Sequence, residues 1–343
     1  MKTLRNLLLV LTSLIATVAF ALTPAERILL FGKINPVWQA NFLTASSLPA
    51  GLTASGGANG TYFNSSGILT SGSAPRFDYD PATLAPRGLL VEEARTNRYL
   101  NSQTPAGQTI TVSNGTAYTV SFYGTGSIAI SGAGTQTITG SGANTLTSYT
   151  FTASTTSLVL GTPTGSVTNV QVEAGSFATS RIITAGSAVT RTADVVQFNG
   201  VPLAALRGAQ GSVAAEVADW PGGTTARIVG YNGYSASLIA NANTQASTYN
   251  ASTNVIAGTP STGFSGNVAR VASTWAASGR TIVFNRGTVS SGSGTFSGIT
   301  NAYLGGDGGN SNYFDGHIRS VAIWNQRLPN PTLQQKSVIG APY

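Results

Sequence analysis

The sequence predicts an all-β protein made of two antiparallel β-sandwiches of the jelly-roll type, with a short N-terminal helix and an extended arm ahead of them. Three observations carry that expectation. The 343 residues include 41 Gly and 14 Pro, and only 8% are charged, where an average domain carries about a quarter. Exposed helical faces are normally built from Glu, Lys and Arg, so long helices are not expected. Short runs of Val, Ile, Tyr and Phe alternate with Ser, Thr and Asn between Gly-rich turns, the pattern of half-buried strands. At roughly 150 residues per domain the length allows about two domains, each large enough for a core without covalent staples. The chain has no cysteine to supply them.

The first element is a leader. Lys2 and Arg5 precede an apolar stretch over 7–20, and Ala19-Phe20-Ala21 is a small-x-small cleavage site. Residues 1–21 therefore read as a signal peptide. The apolar stretch falls short of the about 20 residues that span a bilayer, so export and cleavage are expected rather than anchoring. Over 22–74, Thr23-Pro24-Ala25-Glu26 is a capping box with proline at the first helical position, and Gly32 ends a helix of about two turns. From 35 to 70 the chain is Gly, Ser and Ala with isolated aromatics, among them Trp38, Phe42, Tyr62 and Phe63. That composition predicts an extended arm lying along another surface, with little core of its own.

Clear alternation begins with Tyr118-Thr119-Val120-Ser121-Phe122 and continues at 127–130, 149–152 and 167–172. These strands assign 109–193 to the first sandwich, which resembles carbohydrate-binding modules. A second series over 194–343 has strands at 212–218, 227–230, 237–240, 268–275, 281–285, 302–305 and 318–324. Asn330-Pro331 then opens a short closing helix through Val338. The Ser- and Gly-rich stretch 290–298 reads as a loop.

The formal charge is +7, and Lys2, Lys33 and Lys336 are the only lysines among the 18 basic residues. Nucleic-acid binders gather basic charge in runs, whereas Arg76, Arg87, Arg181, Arg227, Arg270 and Arg319 stand singly. No nucleic-acid partner is expected. Scattered arginines favour acidic partners such as bacterial surface polysaccharides, with ordinary surface charge as the simpler account.

Over 75–108, Pro75-Arg76-Phe77-Asp78-Tyr79-Asp80, then Arg87-Gly88-Leu89-Leu90-Val91-Glu92-Glu93-Ala94-Arg95-Thr96-Asn97 and Asn101-Ser102, resemble a linking segment of bacteriophage tail, fibre and other virion-appendage proteins. Gln171-Val172-Glu173-Ala174-Gly175-Ser176-Phe177-Ala178-Thr179-Ser180, followed by Val189-Thr190-Arg191-Thr192-Ala193-Asp194, is similar to the seam that joins one sandwich to the next in such proteins. Arg181 and Ile183 stand where that family tends to place an aromatic and a proline, so a different local turn is expected. The last third resembles concanavalin A-like lectin or laminin-G-like domains, through Thr281-Ile282-Val283-Phe284-Asn285-Arg286-Gly287 and the run from Phe314 to Asn325. The resemblance implies modules that display or bind glycans, other virion proteins as partners and a homo-oligomer, often a trimer. Fold alone names no ligand.

His317 is the single histidine. With no Cys, no second His and no G-x-S-x-G elbow, nucleophilic triads are excluded, and His317 reads as structural. Glycoside hydrolysis needs only two carboxylates about 5 to 10 Å apart. Asp78 and Asp80 would face one way on a strand, roughly 7 Å apart, while adjacent Glu92 and Glu93 would point oppositely. Glu216 and Asp315 are the distant acids that folding would have to bring together. Asp307, within Gly305-Gly306-Asp307-Gly308-Gly309-Asn310, is a weak calcium candidate, because one carboxylate among glycines offers few hard ligands. No other cofactor is expected.

Sugar binding needs an aromatic face and polar groups that fix hydroxyls. Trp220, Tyr231, Asn232 and Tyr234, and Asn310, Asn312 and Tyr313, meet that need on predicted loops, whereas Trp275 and Trp324 read as core. The expectation is thus a non-enzymatic virion appendage or surface-displayed protein that recognises host-cell glycans. A purely structural virion decoration, a secreted lectin or adhesin, which accounts best for the leader, and a glycoside hydrolase are the alternatives.

Overall fold

Alternating sequence becomes antiparallel sheet throughout the chain. The computed structural model describes residues 34–343 apart from 223–224, 233–235, 242–244, 251–253, 257–263, 265–267, 295, 297 and 309–311. The signal peptide expected over 1–21 and the helix expected over 23–32 lie outside the described residues. Among the described residues, strands dominate and the two helices are one to two turns long, Gly200–Leu206 (α1) and Asn330–Lys336 (α2).

The larger sandwich packs an eight-stranded sheet on a seven-stranded one. At the centre of the first lies Gly316–Trp324, paired along one edge with Gly211–Ala218. Its other edge is shared end to end by Trp38–Asn41 and Pro86–Val91, and Arg76–Tyr79 pairs with the latter. In the second sheet, Asp194–Phe198 lies between Leu52–Gly56 and Ala302–Leu304. Trp275, Phe284, Ile323, Phe198 and Tyr231 are fully buried in one apolar core fed by both sheets. Trp324, at 1% exposed, is buried as its place in a strand suggests.

The smaller sandwich sets Gly142–Thr152, Ala117–Gly124 and Val167–Ala174 against a four-stranded sheet that includes Ser127–Gly132 and Ser157–Leu160. Tyr118, Val120 and Phe122 point into its core with Leu158, Val170 and Val172. The alternate residues of the same strand, Thr119 and Ser121, are also fully buried. This strand is thus covered on both faces, and its second face is polar.

Two expectations are corrected. The stretch 35–70 is no loose arm: Trp38–Asn41 and Leu52–Gly56 are paired strands of the large sandwich. Phe42 is 1% exposed in that sandwich's core, and its N–H donates to the Arg319 carbonyl at 2.8 Å. Strands of three to five residues separated by turns show too few periods to be recognised, and their partners lie more than a hundred residues away. The small sandwich is consequently set between two stretches of chain that build the large one, rather than preceding it as a separate domain. Within the expected loop 290–298, Ser290–Gly292 forms an edge strand on Gly279–Phe284.

Phe42→Ala distinguishes a structural strand from a free arm. The exchange is expected to cost about 3–5 kcal/mol in a urea unfolding experiment, as for other buried Phe truncations, whereas an arm outside the core would leave stability within about 0.5 kcal/mol.

Candidate ligand site at the seam of the two sandwiches

Three segments singled out in the sequence, 76–97, 171–181 and 189–194, meet at a buried polar seam. Arg76, fully buried, pairs with Asp194 and, at 2.9 Å, with Glu92. Arg191 Nη1 reaches the same Glu92 oxygen at 2.9 Å. The Ser180 backbone N–H and hydroxyl donate to the two Glu92 oxygens at 2.7 and 2.6 Å. Burial alone would raise the Glu92 pKa, but the two guanidinium groups and Ser180 outweigh it and bring the carboxyl down to about 2. Asn97 spends its whole side chain on the joint. Its Nδ2 donates to the Val170 and Ile182 carbonyls, and its Oδ1 accepts from the Tyr99 and Val172 N–H groups.

Gly175 explains why the second segment carries a glycine where it does. With φ at +136°, an added Cβ would lie 1.5 Å from Arg95 Nη1. Arg95 fills that space and rests over the Phe177 ring at 4.6 Å, pinning the segment 171–181 to the strand Arg95–Asn97.

Beside this seam lies a cleft of about 130 Å³. The large sandwich lines it with Asp78, Arg87, Asp219, Asp315 and His317. His317 stands in register between Ala218 and Leu90 on its neighbouring strands. Its Nε2 is 2.9 Å from Asp78 Oδ2. Asp219 follows the strand Gly211–Ala218 with φ at +61°, which turns its carboxylate back to within 2.9 Å of His317 Nδ1. That contact lies off the line of a well-formed hydrogen bond. Burial disfavours the imidazolium, but the contacts with Asp219 and Asp78 prevail and hold the His317 pKa above its ordinary value. Burial likewise opposes charge on Asp219, and His317 and Arg87 outweigh it, leaving this carboxyl well below the usual range. Arg87 bridges Asp219 at 3.1 Å and Asp78 at 3.4 Å from a side chain about a third exposed. Gly88, between Arg87 and Leu89, has φ at +120°, and a Cβ there would lie 2.4 Å from the Ile318 carbonyl oxygen.

Aromatic groups come from elsewhere. The hairpin of Thr61–Phe63 and Leu69–Ser71 brings Tyr62 and Phe63, and the small sandwich brings Tyr123. Phe63 and Tyr123 meet edge to face at 5.8 Å, and the Phe63 N–H donates to Asp78 Oδ1 at 2.7 Å. Arg181, 2% exposed, reaches the cleft with its guanidinium 5.8 Å from the Tyr123 ring centre. It donates to the Ser121 hydroxyl at 2.9 Å and to the Thr179 carbonyl.

Of the residues expected from the sequence to bind a sugar, none that the structure describes lines this cleft. Trp220 is 2% exposed, stacked on Phe314 and edge-on to Phe264. Tyr231 is fully buried against Phe296, and Tyr313 is 7% exposed, its hydroxyl pushed up to about 12 by burial. These three are core rings, a correction of the loop expectation. Tyr231 ends the strand Thr225–Tyr231 on its inward face, which an apparent Gly-Tyr-Asn turn conceals. Asn232 is half-buried and caps a loop, its Oδ1 accepting from the Thr300 and Asn301 N–H groups at 2.8 Å. Asn312 is half-buried, and its carbonyl accepts from the Arg227 N–H at 2.9 Å. Tyr234 and Asn310 lie outside the described residues. The Asp307 carboxylate is already engaged by Arg227 at 2.6 Å, so it does not offer a calcium ligand as expected.

The acids also sort differently from their spacing. Asp78 enters the cleft, whereas Asp80 caps its own turn, accepting from the Ala82 and Thr83 N–H groups. Glu216 joins Arg319 and the Gly340 N–H, away from Asp315. Tyr123 and Asp219 were missed because each is ordinary in its local sequence, and Arg87 was noted among the scattered arginines without being placed in a site. The available signal was the Phe314-Asp315-Gly316-His317 run, in which Asp315 was weighed only as a partner for Glu216 and His317 only as a structural residue.

No protein-family model and no curated protein matches the chain. Among solved structures it is similar to the CBM40 of the Ruminococcus gnavus IT-sialidase, bound to α2,3-sialyllactose, at 15% identity over 38% of this chain and 83% of that one, with a TM-score of 0.32. Domain 4 of AbnA, an extracellular GH43 arabinanase from Geobacillus stearothermophilus in complex with arabinotriose, gives 17% identity, 42% and 73% coverage and 0.34. A Trypanosoma rangeli sialidase gives 17% identity and 0.32, and 41% of this chain spans 25% of that enzyme. The reading of the site rests on its own geometry.

Glu92→Gln tests the seam. A carboxyl whose pKa falls from 4.5 to about 2 on folding contributes stability that is present above 4.5 and lost as the pH falls toward 2. At about pH 7 the variant is expected to be less stable by about 3 kcal/mol. Denaturant titrations across the acid range should show the gap from the native protein closing between about pH 4.5 and 2.

Proposed function

We propose that the chain is a glycan-binding protein without catalytic activity, and that the seam cleft holds the sugar. One observation carries the reading. The Tyr62, Phe63 and Tyr123 rings share a small cleft with planar, charge-bearing groups of Arg87, Asp219 and His317. A sugar offers an apolar face to rings and an edge of hydroxyls to carboxylate and guanidinium groups. At about 130 Å³ the cleft is well below the roughly 300–1,000 Å³ of drug-sized pockets, which suits one terminal ring rather than an extended chain.

In the fuller form of the proposal, the protein is an exported or virion-borne appendage that reads glycans on a bacterial surface. The support is the resemblance of 75–108 and 171–194 to appendage proteins, together with the leader-like residues 1–21. Decoration without a ligand is the reading to adopt if no glycan binds. Hydrolysis is a second reading with an observation of its own: Asp315, largely uncharged at neutral pH, lines the same cleft as ionised Asp219, and unlike carboxyls are how glycosidases divide acid and base roles.

A glycan array spanning bacterial surface polysaccharides tests the proposal. Binding is expected, and Arg87→Gln is expected to weaken it about tenfold or more, the size of one charged hydrogen bond, with circular dichroism confirming that the variant is folded. Silence across the array would leave the structural role. Release of reducing sugar from a bound glycan, followed by mass spectrometry, would put hydrolysis in place of binding alone.

A further inference from the structure

The cleft's hydrogen-bonding capacity is unevenly spent. Asp78 accepts from the Phe63 N–H with one oxygen, while His317 and Arg87 take the other. Both Glu92 oxygens are taken by Ser180, Arg76 and Arg191. The negative groups are therefore already engaged, Asp219 keeping one oxygen for a sugar hydroxyl. The unspent capacity belongs mostly to donors. Arg181 has no carboxylate within salt-bridge distance among the described residues, and its buried Nε has no partner. Asp315 is half-buried on the cleft side of Gly316. One of its oxygens accepts from the Glu93 N–H at 2.7 Å, and among the described residues no cation lies within salt-bridge distance of it.

We infer that Asp315 is the specificity-determining group of this cleft, meeting the ligand as a carboxylic acid that donates a hydrogen bond, and that the ligand is an acidic sugar whose carboxylate accepts it. The inference rests on the glycan-binding reading and names its sugar. Burial, with the charge of Glu93 next, pushes the Asp315 carboxyl up to about 8, so it carries its proton at neutral pH. The groups that face it are Glu93 and Glu92, which raise its proton affinity, and Arg191, which lowers it. His317, Asp219, Asp78, Arg87 and Arg181 complete the charged lining. A neutral sugar would need acceptors for its hydroxyls, and both oxygens of Asp78 and of Glu92 are already engaged. A carboxylate needs donors, and Asp315 with Arg181 supplies them.

Isothermal titration of the full chain with glucuronic acid, N-acetylneuraminic acid, their methyl esters and glucose tests the inference. At about pH 6.5 at least one of the acids is expected to bind about tenfold or more tightly than its ester, which keeps the ring but loses the charge. As the pH rises through about 8, ionised Asp315 turns from donor to repelling charge, and the native protein loses affinity for the acid. His317, whose pKa is held above its ordinary value, also loses its proton as the pH rises. Asp315→Asn, whose amide still donates, is therefore expected to show a fall several-fold smaller than the native protein's. Equal affinity for acid and ester, or an identical alkaline fall in Asp315→Asn, overturns the inference while leaving glycan binding standing. Failure of every sugar, glucose included, overturns the inference, and silence on the glycan array as well overturns the glycan-binding reading. The ester comparison needs no variant, so it decides even if the substituted protein does not fold.

Discussion

The structure depends on the buried ion network of Arg76, Glu92, Arg191 and Asp194. Removing four charged groups from water costs several kcal/mol per ion, and such a network holds only when nearly every lone pair and proton finds a partner. Its members come from strand Arg76–Tyr79, the turn after Pro86–Val91, the strand Val189–Arg191 and the start of Asp194–Phe198. A one-residue slip in any of these would turn a charge out of the network and leave its partners buried alone. The network thereby fixes register at the place where the chain leaves the large sandwich and where it returns. It is not fully satisfied: the Nε atoms of Arg76 and Arg191 and Asp194 Oδ1 lack partners among the described residues, a cost offset by the apolar cores on either side.

The cleft follows from this joint. Thr119 and Ser121 are buried on the face of Ala117–Gly124 that turns toward the seam, and Ser121 receives Arg181. The same joint sets Tyr123, two residues further on, beside the hairpin ring of Phe63. The large sandwich meets them with the end of its central strand, where His317 sits between Asp78 and Asp219. A site assembled from the hairpin, the small sandwich and the large sandwich is held by the network behind it rather than by any single loop.

Strands with several periods of alternation were legible in the sequence, among them Ala117–Gly124, Gly211–Ala218 and Gly316–Trp324, and so were the core positions of Trp275 and Trp324. The strands Trp38–Asn41 and Leu52–Gly56 were not, because their stability comes from partners at Ser320–Ile323 and Asp194–Phe198 and leaves almost no local pattern. Helix α1 was missed for a related reason. Its sequence, Gly-Val-Pro-Leu-Ala-Ala-Leu, has no side-chain cap and no charged turn. The site was the least legible part. Aromatic and Asn-rich turns suggested Trp220, Tyr231 and Tyr313, yet those rings complete the core. The residues that line the cleft come from short stretches far apart in the sequence, among them 61–63, 78–92, 178–181 and 315–317, joined only by folding. Stretches 76–97 and 171–181, read in the sequence as linking segments, supply Arg87 and Arg181 to the cleft wall.

A crystal structure of the protein soaked with a glycan that binds on an array tests the central claim most directly. The account predicts sugar density in the seam cleft, with one ring against Tyr123 or Phe63 and its polar edge toward Arg87, Asp219 and Asp315. Density over the loops that follow Tyr231 or precede Asn312, with the seam cleft empty, would contradict it.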